Sequence, residues 1–342
     1  MIKSTITTKP TSPLVKNDRT TIAVKNPGDI TEILLEIIVP VTVAAGAVPA
    51  VDGLEKYIRA ISMYDENGKT LVNIQDIRLI RKFTDIVMPG RVRFDTLPTV
   101  AGPYTLHANI LLHAGRKYDD YEDMSCLFPG QNITAYNIDI ALGVDTDLGT
   151  GYTVGAPTIT PTPTRIVYDN PISERGKILM DGNPASGSGR VFTANMIADR
   201  TTFTNTAANL SQIIEVPVAR FYMKSLLMVL NAANQRSDNV VSRLCIRYPR
   251  DMAATSIDLN WTAAQQYMAR TNPNIAASDL TGLYLIDWSR HKHLKDEADK
   301  SRVVAQGFNT YDLEKGVVEI GVSNNEQGSI YMFSHFSVAT SE

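Results

Sequence analysis

The stretch from Gly102 to Val144 returns, much changed, near the C-terminus, and this internal repeat constrains the fold more than any other feature of the chain. The first copy opens Gly102-Pro103-Tyr104-Thr105-Leu106-His107 and closes Ile138-Asp139-Ile140-Ala141-Leu142-Gly143-Val144. The second opens Gly282-Leu283-Tyr284-Leu285-Ile286-Asp287 and closes Val317-Val318-Glu319-Ile320-Gly321-Val322. Tyr104 and Tyr284 are 180 residues apart, Gly143 and Gly321 178, so the copies sit about half a chain apart with nearly equal internal gaps. That spacing points to two domains of one fold in tandem. Each copy reads as strand, polar insertion, strand, because Tyr104 to Ile110 and Ile138 to Leu142 alternate apolar and polar residues at the period of a half-buried antiparallel strand. The insertions are charged, Arg116 to Glu122 in one copy and His291 to Arg302 in the other.

A chain of 342 residues exceeds what one core usually supports, which agrees with two domains. With 33 basic and 36 acidic side chains the net charge is −3, and nothing marks the whole chain as a nucleic-acid binder. Cys126 and Cys245 stand one in each half without a C-x-x-C and read as buried thiols of a reducing compartment. The first ten residues lack the apolar core of a signal peptide. The most apolar run, Ile33 to Val51, is interrupted by Glu36, Pro40, Gly46 and Pro49 and is not expected to span a membrane.

In chain order, residues 1–20 are rich in Thr, Lys, Ser and Pro without periodicity and read as a mobile arm. Thr21 to Val24 gives the first strand signal. Ile30 to Val43 reads as a strand buried on both faces, with Pro40 at a bend or edge. Asn67-Gly68 lies between two alternating runs, Tyr57 to Tyr64 and Thr70 to Ile74, and predicts a hairpin. Asp76 to Asp85 has helical spacing and ends before Pro89-Gly90. Residues 149–189 carry repeated Gly and Pro and read as the linker, with one strand at Arg165 to Tyr168. Strand signals resume at Val191, Ile213, Tyr222 and Val240, and Asp258 to Arg270 is the strongest helix. The expected architecture is all-β: two tandem antiparallel jelly-roll sandwiches, 21–148 and 190–342, with a few short helices in the insertions.

Motifs that carry chemistry are nearly absent. There is no G-x-x-x-x-G-K-[ST], H-E-x-x-H or G-x-S-x-G. His291 and His293 could flank a metal but lack a third ligand nearby in sequence, and a solvated loop is the better reading. Asp145-Thr146-Asp147-Leu148-Gly149 opens like a calcium loop without its distal ligands and reads as a turn. Asp119, Asp120, Glu122 and Asp123 read as a solvated charge run. Trp261 and Trp288 read as core anchors. Arg78, Arg81, Lys82, Arg91 and Arg93 are interleaved with Asp76, Asp85 and Asp95 and read as an ion-paired surface. No catalytic residue, cofactor or metal is expected.

The opening arm, Asp52-Gly53-Leu54 leading into the Asn67-Gly68 hairpin, and Gly282-Leu283-Tyr284-Leu285-Ile286-Asp287-Trp288 before a charged insertion together resemble the double-jelly-roll major capsid proteins of tailless icosahedral viruses with an internal membrane, the lineage shared with adenovirus hexon. The resemblance implies a non-enzymatic homotrimer whose six jelly rolls make a pseudo-hexagonal capsomer. It implies partners in neighbouring capsomers, penton and minor capsid proteins and internal membrane lipid, with no sequence-specific nucleic acid. It also implies a place in the virion after synthesis and assembly in the host cytoplasm. Tower loops should be small in so compact a chain. A two-domain jelly-roll hydrolase or carbohydrate-binding protein is the alternative, and it predicts a secreted chain with disulfides or calcium.

Residues 1–20 hold Lys3, Lys9, Lys16 and Arg19 against Asp18, a local charge of +3 on a chain that is −3. These four residues are the candidate contacts to acidic lipid head groups or neighbouring subunits.

Overall fold

The computed structural model describes residues 2–115, 126–130, 133–168, 191–203, 211–217, 220–247, 257–288, 308–309, 318–324 and 326–340. It divides into two compact units, Met1–Ile197 with Ala339–Glu342, and Ala198–Val338.

The first unit contains β1 (Ile2–Ile6), β2 (Ser12–Pro13), β3 (Arg19–Lys25), β4 (Ile30–Pro49), α1 (Gly53–Tyr57), β5 (Ile58–Asp65), β6 (Thr70–Ile74), α2 (Ile77–Val87), β7 (Gly102–His113), β8 (Ala135–Leu142), β9 (Gly149–Val154), β10 (Thr158–Tyr168) and the start of β11 (Val191–Phe203). One sheet has the order β1-β10-β4-β7, with β2 on β10 and β9 on β4; the other runs β3-β8-β5-β6. Both are antiparallel, and β11 joins β6 in parallel at Met196 and Ile197. The chain passes repeatedly from one sheet to the other, β3 to β4, β4 to β5, β6 to β7, β7 to β8 and β8 to β9, which is the path of a jelly roll.

β4 is the spine of this unit. Ile33, Leu35, Ile37 and Val39 are wholly buried, while Glu32, Leu34, Glu36 and Ile38 between them are half-buried. The strand is therefore buried on one face only, not on both as its composition suggested. Pro40 lies within the strand, opposite Thr105, and its carbonyl accepts from Gly155 N at 2.8 Å.

The hairpin at Asn67-Gly68 is present, with the left-handed conformation at Gly68 alone (φ 80°). Asp65 Oδ1 accepts from the backbone N–H of Asn67 and Lys69, and Asp65 N donates to Lys69 O, closing a three-residue loop. α2 starts where Asp76 caps Arg78 N and buries Leu79, Ile80, Phe83 and Ile86.

Two segments differ from the sequence expectation. Residues 149–168 are the strands β9 and β10 rather than part of a linker; residues 169–189 lie outside the described residues. The prolines of β10 do not break it, because Pro161 and Pro163 direct their carbonyls to Lys9 N and Thr7 N. Their missing N–H groups thus face the N-terminal segment, and the ladder to β4 runs through the threonines between them. The segment expected as a mobile arm is the partner of that edge: β1 pairs with β10 from Ile2↔Tyr168 to Ile6↔Thr164, and β2 follows at Ser12↔Ile159. An edge row of carbonyls gives a polar, proline-bearing segment the hydrogen bonds that its own sequence cannot supply.

The second unit contains the rest of β11, β12 (Ser211–Val216), β13 (Phe221–Asn231), β14 (Val241–Arg247), β15 (Ile257–Asn260), α3 (Trp261–Thr271), α4 (Ala277–Leu280), β16 (Leu283–Asp287), β17 (Phe308–Asn309), β18 (Val318–Asn324) and most of β19 (Gly328–Thr340). β16, β13 and β19 are consecutive neighbours in one sheet, with β17 also on β13, and β12-β18-β14-β15 form another. The helix expected from Asp258 begins at Trp261, because Asn260 Oδ1 accepts from Ala263 N at 2.7 Å and fixes the start one strand later. In each repeat copy the two strands belong to different sheets: β7 and β8 in the first, β16 and β18 in the second.

Candidate functional site

Three stretches of the first unit contain no charged side chain: residues 37–51, 96–106 and 148–164. The fold gathers residues 40–51, 96–106 and 148–155 at one end of the β1-β10-β4-β7 sheet, while residues 158–164 run along β4 from Ile38 to Glu32. β4 runs on past Val43, and its register with β9 jumps from Val43↔Tyr152 to Val48↔Thr150, so that Ala44 to Ala47 stand out around Gly46 (φ 76°). Gly151 permits this, since a Cβ there would meet Ala47 Cβ at 2.9 Å. Tyr152 Oη donates to Pro98 O at 2.6 Å and ties the 96–101 loop to β9. Val48, Val51 and Val100 are 62, 67 and 69 % exposed. Beside them lies a cleft of about 280 Å³ lined by Pro40, Val41, Thr42, Pro103, Tyr104, Thr105 and Gly155. An uncharged surface of valine, alanine, proline and threonine can bury area against a partner at little desolvation cost.

The candidate cations of the N-terminal segment are spread along the same unit. Lys3 sits in β1 opposite Val167. Lys9 Nζ donates to Lys25 O at 3.2 Å. Lys16 Nζ lies 3.4 Å from Asp145 Oδ1 and donates to Val154 O at 2.8 Å, and Arg19 pairs with Asp139 at 3.7 Å. Lys16 and Arg19 thus serve the unit's own surface, while Lys9 has no carboxylate partner among the described residues.

The other candidates fall into structural roles. Asp147 binds Arg59 at 2.9 Å and accepts from Val144 N, and Asp145 faces Lys16, so the turn that opens like a calcium loop has its charges neutralised by cations. Arg78 pairs with Asp76, Arg81 with Asp85 and Arg93 with Asp95, as the interleaving implied, while Arg91 pairs with Glu32. Arg78 is buried rather than on the surface. Trp261 and Trp288 are buried, their indole N–H groups donating to Asp238 Oδ1 and Ser225 Oγ. Asp119, Asp120, Glu122, Asp123, His291 and His293 lie outside the described residues.

No protein-family model matches the sequence and no curated protein matches it. Solved structures do match the fold. The STIV MCP aligns with a TM-score of 0.73 and 15 % identity over 99 % of this chain and 97 % of its own. PBCV-1 VP54 aligns with a TM-score of 0.60 and 9 % identity over 100 % and 98 %, and the major capsid protein of Bacteriophage PM2 with 0.58 and 7 % identity over 99 % and 99 %. The chain has the double-jelly-roll fold. The all-β, two-sandwich architecture expected from the repeat is the one observed.

Within that fold, the local charge of the sequence points to the cations of the N-terminal segment and not to the uncharged end of the first jelly roll. The signal was present as three long runs without Asp, Glu, Lys or Arg. What the sequence did not show is that strands at positions 43, 103 and 153 lie side by side, which follows from the pairing of β4 with both β7 and β9.

Proposed function

We propose that this chain is a viral major capsid protein that assembles as a homotrimer into pseudo-hexagonal capsomers and thence into an icosahedral shell. The observation that carries the reading is the end-to-end likeness to the STIV MCP, which leaves almost none of either chain unmatched. The uncharged end of the first jelly roll supports it, since a subunit that tiles a shell must bury broad flanks against its copies. On this reading the protein is structural rather than enzymatic and resides in the virion, with itself, penton and minor capsid proteins as partners. The N-terminal segment with Lys3, Lys9, Lys16 and Arg19 is proposed to lie on the inner side, towards neighbouring subunits or membrane lipid.

Native mass measurement of the purified full chain tests the proposal. A trimer that persists at micromolar concentration is the expected result, and a monomer at that concentration would overturn it. Replacing Val48, Val51 and Val100 together by Asp should dissociate the trimer or stop particle formation while circular dichroism stays unchanged, because three carboxylates cannot be buried unpaired in an interface.

A further inference from the structure

We propose that Lys9 and Arg165, meeting at the backbone carbonyl of Lys25, form a binding site for a phosphate-bearing anion. Lys9 Nζ donates to Lys25 O at 3.2 Å, and Arg165 Nη2 donates to the same oxygen at 3.3 Å. Two full positive charges thus converge on one neutral acceptor, and the residue that supplies it, Lys25, brings a third charge on its own exposed side chain. Among the described residues none of the three forms an ion pair, although this chain pairs cations elsewhere: Lys16 with Asp145, Arg19 with Asp139 and Arg91 with Glu32.

Arg165 also keeps a donor in reserve. Its guanidinium carries further N–H groups beside the one given to Lys25 O. A guanidinium can bind two oxygens of a tetrahedral or planar oxyanion at once. Phosphate fits better than carboxylate because it carries close to two charges and enough oxygens to take donors from both side chains together. The cluster is held in place by the backbone. Thr7 N, Lys9 N and Leu14 N donate to the carbonyls of Pro163, Pro161 and Pro157, which fixes the segment carrying Lys9 beside β10, the strand carrying Arg165. Between Thr164 and Arg165 the register of β10 on β4 slips by one residue, an irregularity that re-aims a side chain. The ammonium of Lys9 is held below its ordinary range, first by partial burial and then by the charge of Arg165, as befits two like charges with no counter-ion between them.

The shared chemistry is a phosphate group, whether free or at a lipid surface, and the site does not depend on the chain's building a shell. The test is titration of the full chain with inorganic phosphate at constant ionic strength set by chloride, alongside flotation with phosphatidylcholine vesicles with and without phosphatidylglycerol. Saturable phosphate binding is expected, weakened roughly tenfold in Lys9→Gln and in Arg165→Gln, each of which removes one charge-assisted contact. Lys16→Gln, whose partner is Asp145, should bind as the natural chain does. Should Arg165→Gln fail to fold, Lys9→Gln decides alone, since Lys9 lies in the half-exposed segment between β1 and β2. Flotation only with phosphatidylglycerol, lost in Lys9→Gln, assigns a lipid head group; phosphate binding without flotation assigns a free anion. Phosphate no better than chloride, or equal binding by Lys9→Gln, would overturn the proposal.

Discussion

Arg91 Nη2 donates to both carboxylate oxygens of Glu32, at 3.0 and 3.3 Å, on the half-buried face of β4, and His113 stands directly opposite Glu32 in the β4–β7 ladder with Nδ1 3.5 Å away. Burial by itself would raise the Glu32 carboxyl. His113 and Arg91 outweigh that and hold it below the usual carboxylate range.

A depressed carboxyl in the folded state adds stability that is present above the unfolded carboxylate range and is lost as the pH falls through the folded value. Glu32→Gln should therefore cost about 2–3 kcal/mol at neutral pH, because it leaves Arg91 without its charge partner in a poorly solvated place. The deficit against the natural chain should shrink on acidification below the ordinary carboxylate range. Urea unfolding at a series of pH values measures both effects; a deficit that does not change with pH would show that the pair contributes no electrostatic stability.

Much of the fold was legible because it rests on local patterns. The alternation in Tyr104 to Ile110 marks β7, Asp65 to Lys69 marks a tight loop, and the repeat at Gly282 marks the second jelly roll. What escaped reading depends on partners remote in sequence. Residues 149–168 look like a linker because Pro161 and Pro163 ordinarily forbid a strand, and only the presence of residues 7–14 on the proline side makes one possible. The same holds for the binding cluster. Lys9 was marked by the local charge, but Arg165 and Lys25 lie 156 and 16 residues away and meet it only through β10 and the end of β3. Ile30 to Val43 misled for the converse reason, since its outward leucine and isoleucine positions are half-covered while the inner row is sealed.

Glu55, in the short helix α1, has its carboxyl raised, chiefly by burial and further by Asp52, against an opposing backbone hydrogen bond and the charges of Lys82 and Arg81. A raised carboxyl contributes stability below the unfolded carboxylate range and loses it as the pH rises through the folded value. Glu55→Gln should therefore raise the melting temperature at pH 7 and make no gain in mild acid. An equal shift at both pH values would mean that the effect is steric rather than ionic.

Two glycines should respond very differently to alanine. Gly149 has φ 125°, and a Cβ there would lie 2.2 Å from Val48 O and 2.7 Å from Ala50 N. Gly46 has φ 76° but open space around it. Gly149→Ala should cost roughly 3 kcal/mol or more, since backbone must move as well as strain, whereas Gly46→Ala should cost about 1–2 kcal/mol from its left-handed backbone alone. Thermal melts of the two variants, compared side by side, give the answer; similar losses would mean that the β4–β9 contact yields freely.

In the second unit Trp288 Nε1 donates to Ser225 Oγ at 2.8 Å, and Ser225 Oγ lies 2.9 Å from Ser334 Oγ, with all three side chains buried. The Ser225 hydroxyl thus joins the indole N–H to the Ser334 hydroxyl inside the core. Ser225→Ala strands the indole N–H and one hydroxyl and should cost about 2 kcal/mol, more than its small change of volume accounts for. Trp288→Phe removes the donor but also leaves a cavity and loses contact with the Tyr222 ring, whose centroid lies 5.8 Å away, so the single variant should lose about 3 kcal/mol. The double variant separates the two contributions. Once the indole N–H is gone, Ser225→Ala strands only Ser334 and should cost about 1 kcal/mol, a coupling of roughly 1 kcal/mol in the cycle. Denaturant midpoints at constant slope provide the four values, and strict additivity would mean that the hydrogen bond from Trp288 contributes nothing to the stability of this core.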